Sequence, residues 1–206
     1  MRLPTRARRS EAAAPAAEPQ PRPLRGIRFD LGEQAGRLRQ LSPLVRGFRA
    51  PEGFHLWNGD YESVDAEVMW AMVQGLKPQR AMVAGASPMA RKVLEAALPA
   101  ATERTEDPVA LAGRDVLVAG RPDAELVLGV LPELSPGVVV HVHPVRLPWP
   151  AGPEQDLLQA FLSGNRHFEV LLAHHALART HPEIVRQAVP SWRGSSQPAA
   201  LWLRRT

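Results

Sequence analysis

Three short, largely apolar runs, each followed by glycine or proline, constrain the fold of this chain more than any other feature. They span residues 81–84, 115–119 and 138–143. Runs without polar alternation are typical of strands that are buried on both faces of a parallel sheet. Because residues with helical spacing of apolar positions separate these runs, the sequence predicts an α/β fold with a mostly parallel sheet.

The helices between the runs have recognisable starts. Ser63 is expected to cap a helix whose first turn contains Asp65 and Glu67, which favours structural roles for these two acids. Ser87 followed by Pro88 predicts the start of the next helix directly after the first strand. The first strand and its helix are therefore joined by a tight turn.

The last third of the chain predicts two further strands. They cover residues 168–173 and 200–203, and residues 182–189 form a short helix between them. A parallel connection needs a long crossover, and this segment offers none. One of the closing strands is therefore expected to be antiparallel to the rest.

The amino terminus differs in composition from the remainder. Residues 1–24 are almost entirely Arg, Pro, Ala, Glu and Gln, a composition that predicts disorder. We place a tail at residues 1–35 and one domain at 36–206. Residues 1–28 contain seven Arg and two acids, whereas the remainder has 18 basic and 19 acidic residues. The folded part therefore offers no basic stripe for nucleic acid, and no nucleic-acid partner is expected.

Composition excludes further classes of function. The chain has no cysteine, which rules out disulfides, thiolate metal sites and cysteine nucleophiles. No apolar run approaches the roughly 18–20 residues that span a bilayer, so no membrane partner is expected. Without a convincing export signal, the expected location is cytoplasmic.

Two histidines form the clearest chemical signal. His141 and His143 occupy alternate positions of one strand, so they project from one face near its carboxyl end, where open α/β sheets bind ligands. Metal binding would need a third ligand, which His174 or His175 could supply. The alternatives are contact with a substrate, a general base, or histidines with structural hydrogen bonds. We take His141 and His143 as the catalytic candidates and assign no metal site.

Several segments carry a resemblance to a known family. Residues 61–67 (YESVDAE) precede the first strand, residues 130–137 (VLPELSPG) lead into HVH at 141–143, and residues 154–162 (EQDLLQAFL) follow. These segments, together with 168–175 and 201–204, resemble a bacterial branch of the class I S-adenosylmethionine-dependent methyltransferases. The resemblance covers roughly residues 50–206. It implies a Rossmann-like sheet, S-adenosylmethionine as the cofactor, and methyl transfer to a small-molecule acceptor.

The resemblance also implies the cofactor-binding residues. The turn after the first strand corresponds to the family's glycine turn, so Gly85 and Ser87 are expected at the cofactor. Glu106 and Asp107 are the remaining candidates for the acid that holds the ribose. The family has an acid at the end of the first strand and a second glycine in the turn, and this chain has Ala84 and Ala86.

The spacing departs from the family as well. Gly85 and Asp115 are only 30 positions apart, whereas two strands and two helices need on the order of 50 residues. We therefore expect the second and third strand units to be missing. The lost units would expose a sheet edge, which favours a homodimer or a partner protein there.

Three hypotheses follow for the function. The first is a methyltransferase-like pseudoenzyme with lost or weakened cofactor binding. The second is an active small-molecule methyltransferase with an unusual pocket, in which proximity would be the main catalytic effect. The third is a metal- or ligand-binding module that uses His141 and His143.

Overall fold

A computed structural model describes residues 19–206 of the chain. The predicted tail therefore lies mostly outside the described residues. Helix α1 (Leu31–Val45) begins before the boundary that we placed at residue 35. Its start is fixed by Asp30, whose carboxylate accepts a hydrogen bond from the backbone N–H of Glu33 at 2.9 Å. The folded domain thus extends at least to Asp30.

Residues 19–24, which the composition predicts to be disordered, contact the domain. The backbone N–H of Arg22 donates to the carbonyl of Pro148 at 2.9 Å, and its guanidinium pairs with Asp156. Composition does not predict these contacts, because Pro148 and Asp156 lie more than a hundred residues from Arg22 in the sequence.

The remaining elements alternate between helix and strand. The helices are α2 (Ser63–Leu76), α3 (Pro88–Ala97), α4 (Pro153–Gly164), α5 (His174–Thr180) and α6 (Pro182–Ala188), with a π-helix at Glu125–Val130. The strands are β1 (Arg80–Ala84), β2 (Glu103–Arg104), β3 (Val116–Ala119), β4 (Val139–Val142), β5 (Phe168–Ala173) and β6 (Leu201–Arg205).

The strands form one mixed sheet in the order β2-β1-β3-β4-β6-β5. Neighbours from β2 to β4 are parallel, and β6 lies antiparallel between β4 and β5. The α/β prediction is confirmed, and the sheet is partly parallel.

Apolar layers cover both faces of the sheet. Val116 and Val118 of β3 belong to the cluster built with α1, α2 and α3, whereas Leu117 belongs to the cluster with α4 and the π-helix. All four residues of β3 are buried. The absence of polar alternation in this strand thus reflects burial on two sides.

The segment between β1 and β3 holds few elements, as the short spacing from Gly85 to Asp115 predicts. It holds α3, the two-residue strand β2 and a 3-10 turn at Pro108–Ala110. The second strand is therefore reduced rather than absent, because β2 still pairs with Arg80 and Ala81. Within residues 19–206, no strand pairs with the outer edge of β2.

The two predicted helix caps have different outcomes. Ser87 caps α3, because its hydroxyl accepts from the backbone N–H of Ala90 at 3.2 Å. Ser63 does not cap α2: it is the first helical residue, and its buried hydroxyl has no hydrogen-bond partner. Glu62 occupies the cap position and makes no side-chain cap bond.

No helix in residues 19–206 is long and apolar enough to cross a membrane.

Candidate functional site

A cavity of about 560 Å³ opens at the carboxyl ends of β1, β3 and β4. After β1 the chain forms β2 on one side of β1, and it then returns to form β3 on the other side of β1. Ligands of open α/β sheets bind outside the carboxyl ends of the strands at such a reversal. The cavity therefore lies where the topology predicts a ligand site, with Gly85, Gly120 and His143 in its wall.

Two glycines let the turns after β1 and β3 touch. Gly85 has a φ of +65°, in the left-handed region that favours glycine. A Cβ on Gly120 would lie 2.2 Å from the carbonyl oxygen of Gly85. The N–H of Gly120 donates to the carbonyl of Ala84 at 2.8 Å, which fixes this approach.

The wall of the cavity contains a buried carboxylate, that of Asp65 in the first turn of α2. Its Oδ1 accepts from Nδ1 of His174 at 2.7 Å and from the backbone N–H of Ala200 at 3.0 Å. Its Oδ2 accepts from the N–H of Ala199 at 2.9 Å and lies 3.4 Å from Nε2 of His143. One side chain thus joins α2 to the segments around β4, β5 and β6.

This environment determines the charge of Asp65. Burial alone would raise the pKa of Asp65, but the hydrogen bonds and charges of His143 and His174 outweigh it and hold the pKa well below its ordinary value. The carboxylate is therefore ionised at neutral pH.

His141 lies behind the cavity wall and is fully buried. Its Nε2 is 2.9 Å from the hydroxyl of Tyr61, and that hydroxyl donates to the backbone carbonyl of Asp65 at 2.9 Å. Since the Tyr61 proton is used in this way, Nε2 of His141 carries a hydrogen and donates to Tyr61. Burial, together with His143 and His174, lowers the pKa of His141, so the ring is neutral.

His143 is the histidine that reaches the cavity. Its side chain is 13% exposed, and its ring stacks on that of His141 with the centroids 6.4 Å apart. The two residues share one face of the sheet, as their spacing predicts. The ionised Asp65 orients His143, an arrangement that suits a proton acceptor or a hydrogen-bonding contact to a ligand.

Apart from the buried His141, the predicted site residues divide into two groups. Gly85, Ser87 and His143 line the cavity. Glu106 and Asp107 are exposed and do not line it. The carboxylate of Asp107 instead accepts from the backbone N–H of Val109 at 2.9 Å, a turn-capping contact.

Charged groups of both signs surround the mouth of the cavity. Asp60, Arg121 and Arg146 line it and are exposed, and Glu62 lines it and is half-buried. The two acids belong to the segment that leads into α2. The mouth therefore favours a polar ligand.

Residues 195–199 form the remaining rim and are tied to α2 through two buried acids. Asp65 binds the N–H groups of Ala199 and Ala200, and Glu67 accepts a hydrogen bond from Ser191. Burial raises the pKa of Glu67 to about 7, although the bond from Ser191 opposes this shift. The longer segment 191–200, which contains the rim, is thus anchored at both of its ends.

Sequence reasoning missed three members of this arrangement. It placed Asp65 in the first turn of a helix, gave Tyr61 no role at the site, and named His174 only as a third metal ligand. One signal was available: Asp65 and Glu67 lie in a segment that is otherwise apolar from residue 64 to 73. Acids in such a segment must be buried with partners.

Residues 19–206 contain no group of three His, Cys, Asp or Glu side chains that could hold a metal ion. No protein-family model matches the chain, and comparisons with curated proteins and with solved structures find no match.

Proposed function

We propose that this protein is a class I methyltransferase-like pseudoenzyme, which keeps the scaffold and a polar ligand cavity and has lost or weakened cofactor binding. The single observation that carries this proposal is the composition of the cavity. It includes Gly85 and Ser87, whereas Glu106 and Asp107 lie outside it. Ala84 stands where the methyltransferase resemblance implies an acid.

The sheet supports the methyltransferase part of the proposal. The resemblance implies a Rossmann-like sheet with an antiparallel closing strand, and β6 lies antiparallel between β4 and β5. The reduction of the second strand to the two residues of β2 agrees with the short spacing between Gly85 and Asp115. A scaffold of this kind does not by itself imply activity.

The residues of the cavity do not fit S-adenosylmethionine as the resemblance implies it. A ribose needs an acceptor on the β2 side of the glycine turn, and the described lining has none there. The acids that do line the cavity, Asp60, Glu62 and Asp65, belong to the α2 side. The carboxylate of Asp65 is already occupied by His174 and two backbone N–H groups.

A thermal shift experiment tests the proposal. At 1 mM ligand, a Kd of about 10 µM would stabilise the fold by about 2.7 kcal/mol and raise Tm by about 5–10 °C. We expect a change below about 1 °C with S-adenosylmethionine and with S-adenosylhomocysteine.

The active methyltransferase is the second candidate, favoured by the presence of Gly85, Ser87 and His143 in one cavity. Two glycines provide a matched test. Gly85 and Gly113 both have positive φ and open space where a Cβ would lie, but only Gly85 lines the cavity. A Tm shift that Gly85→Ala abolishes and Gly113→Ala preserves would support the active enzyme and contradict the pseudoenzyme.

A further inference from the structure

Four charged side chains line the cavity without pairing with one another. Asp60, Arg121 and Arg146 are exposed, and Glu62 is half-buried. In residues 19–206, no carboxylate oxygen of these two acids lies within 4.0 Å of a guanidinium nitrogen of either arginine. The two acids and the two arginines are therefore held apart at the mouth of one cavity.

Each of the four side chains has polar atoms available to a ligand. One oxygen of Glu62, Oε1, accepts from the backbone N–H of Gly59 at 3.1 Å, and Oε2 of Glu62 has no partner in the described chain. The carboxylate of Asp60 and the guanidinium groups of Arg121 and Arg146 form no ion pair or hydrogen bond within residues 19–206. The cavity therefore presents available groups of both charges.

The two signs of charge come from different segments. Asp60 and Glu62 precede α2, whereas Arg121 follows β3 and Arg146 follows β4. A simple anion would contact the arginines and also face the acids, and a simple cation would meet the reverse arrangement. Because complementary charges favour a ligand and like charges oppose it, a ligand that carries both signs fits this cavity best.

His143 adds a hydrogen-bond acceptor on the side of the acids. Tyr61 lies between Asp60 and Glu62 in the sequence, and its ring centroid is 5.0 Å from that of His143. Nε2 of His143 donates to Oδ2 of Asp65 at 3.4 Å, which leaves Nδ1 of the neutral ring as an acceptor. An ammonium group has three N–H donors and no acceptor, so it suits the two exposed carboxylates and this nitrogen.

We propose that the cavity binds a small zwitterion whose charges lie at opposite ends of a short chain, because the acids and the arginines are held apart. Asp60, Glu62 and His143 bind the ammonium end. Arg121 and Arg146 bind an oxyanion at the other end, because a guanidinium presents paired N–H donors to carboxylate or phosphate oxygens. The cavity volume of about 560 Å³ is within the range of small-molecule pockets, about 300–1,000 Å³. The inference rests on the proposed function, because it names a ligand class for the polar cavity that the pseudoenzyme keeps.

This ligand class differs from S-adenosylmethionine in two respects. S-adenosylmethionine carries its ammonium and carboxylate groups on one carbon atom, and its ribose needs an acceptor that the described lining lacks on the β2 side. A short chain with separated charges needs no ribose acceptor. Binding of such a zwitterion is therefore compatible with the loss of cofactor binding.

Isothermal titration with 4-aminobutanoate, butanoate, butylammonium and glycine tests the proposal. We expect 4-aminobutanoate to bind with a Kd of about 1 mM, about tenfold more tightly than butanoate or butylammonium, each of which carries only one of the two charges. Glycine should also bind about tenfold more weakly, because both of its charged groups are on one carbon atom. A titration with 2-aminoethyl phosphate distinguishes the oxyanions: tighter binding than 4-aminobutanoate would identify a phosphate end, and weaker binding a carboxylate end.

Variants separate the two ends of the ligand. Asp60→Asn combined with Glu62→Gln removes both exposed carboxylates, so the preference for 4-aminobutanoate over butanoate should disappear. Arg146→Gln is expected to weaken 4-aminobutanoate binding about tenfold. Glu133→Gln and Arg114→Gln are the matched controls, because both residues are exposed and neither lines the cavity. They should bind 4-aminobutanoate as the unmodified chain does, and thermal unfolding verifies that each variant folds.

The proposal is overturned if 4-aminobutanoate does not bind at about 10 mM, or if glycine, butanoate or butylammonium binds equally tightly. Equal losses of affinity in the cavity variants and the control variants would overturn it as well. None of these results would bear on the pseudoenzyme proposal, which the S-adenosylmethionine experiments test separately.

Discussion

The carboxylate of Asp65 accepts a hydrogen bond from Nδ1 of His174 at 2.7 Å across 109 positions of the sequence. The same carboxylate binds the backbone N–H groups of Ala199 and Ala200. A side chain in the first turn of α2 thereby holds the start of α5 and the rim of the cavity in place. The buried hydrogen bonds of the cavity wall therefore converge on this one residue.

Replacing Asp65 is expected to destabilise the fold strongly. Asp65→Asn removes a buried negative charge that His174, His143 and two N–H groups are arranged to meet. The expected loss is about 3–5 kcal/mol in the free energy of unfolding, measured with urea. The control is Asp156→Asn, because Asp156 forms an exposed pair with Arg22 and should lose less than about 1 kcal/mol. Equal losses in both variants would contradict the role given to Asp65.

Glu67 is expected to make stability depend on pH. Its ordinary pKa of 4.5 is raised to about 7 in the folded protein. Between these values the unfolded chain releases a proton that the folded chain retains, so the free energy of unfolding falls as pH rises from 4.5 to 7. Glu67→Gln should remove this part of the slope, measured by urea unfolding at pH 5 and pH 8. The exposed Glu133→Gln should keep it, and an unchanged slope in Glu67→Gln would refute the assignment.

The contact between Gly85 and Gly120 predicts a further difference between variants. In Gly120→Ala the new Cβ would meet backbone atoms of Gly85, which should cost about 1–3 kcal/mol as the two turns are forced apart. Gly36 lies in α1 with nothing within 4 Å of the corresponding Cβ. Gly36→Ala should therefore stabilise the fold by about 0.5–1 kcal/mol. Thermal unfolding of the two variants compares them, and a neutral Gly120→Ala would mean that the turns are not in contact.

The sheet edge predicts self-association. β2 pairs only with Arg80 and Ala81, so the rest of β1 has no strand on that side within residues 19–206. Edges of this kind are covered or paired in most proteins. Light scattering at micromolar concentration should therefore detect a homodimer. A strictly monomeric species would contradict the homodimer, and the sheet edge would then pair with a different protein or with no partner.

The strands were predictable because their sequences reflect burial directly. β5 begins and ends at the predicted residues, and the predictions for β3 and β4 differ by one residue at their ends. Helix α1 was not predicted, although Asp30 and Glu33 give it a start signal. Pro43 inside it and the basic segment before it hid the apolar positions that face the core.

The site was predictable only in part, because its central contacts join distant segments. The spacing of His141 and His143 places both on one face, but their different exposure depends on Tyr61, which covers His141. The role of Asp65 depends on His174 and Ala199, whose positions follow from the strand order. The local sequence specifies neither the position of Tyr61 over His141 nor the partners of Asp65. From the local sequence alone, Asp65 is therefore predicted as an ordinary residue in the first turn of a helix.

Isothermal titration of S-adenosylmethionine and S-adenosylhomocysteine into the protein distinguishes the pseudoenzyme from the active enzyme. We expect no binding heat for either compound at millimolar concentration, because Glu106 and Asp107, the acids expected to hold the ribose, lie outside the cavity. A Kd in the micromolar range, lost in Gly85→Ala and kept in Gly113→Ala, would contradict this expectation. That result would favour the active methyltransferase with an altered cofactor pocket.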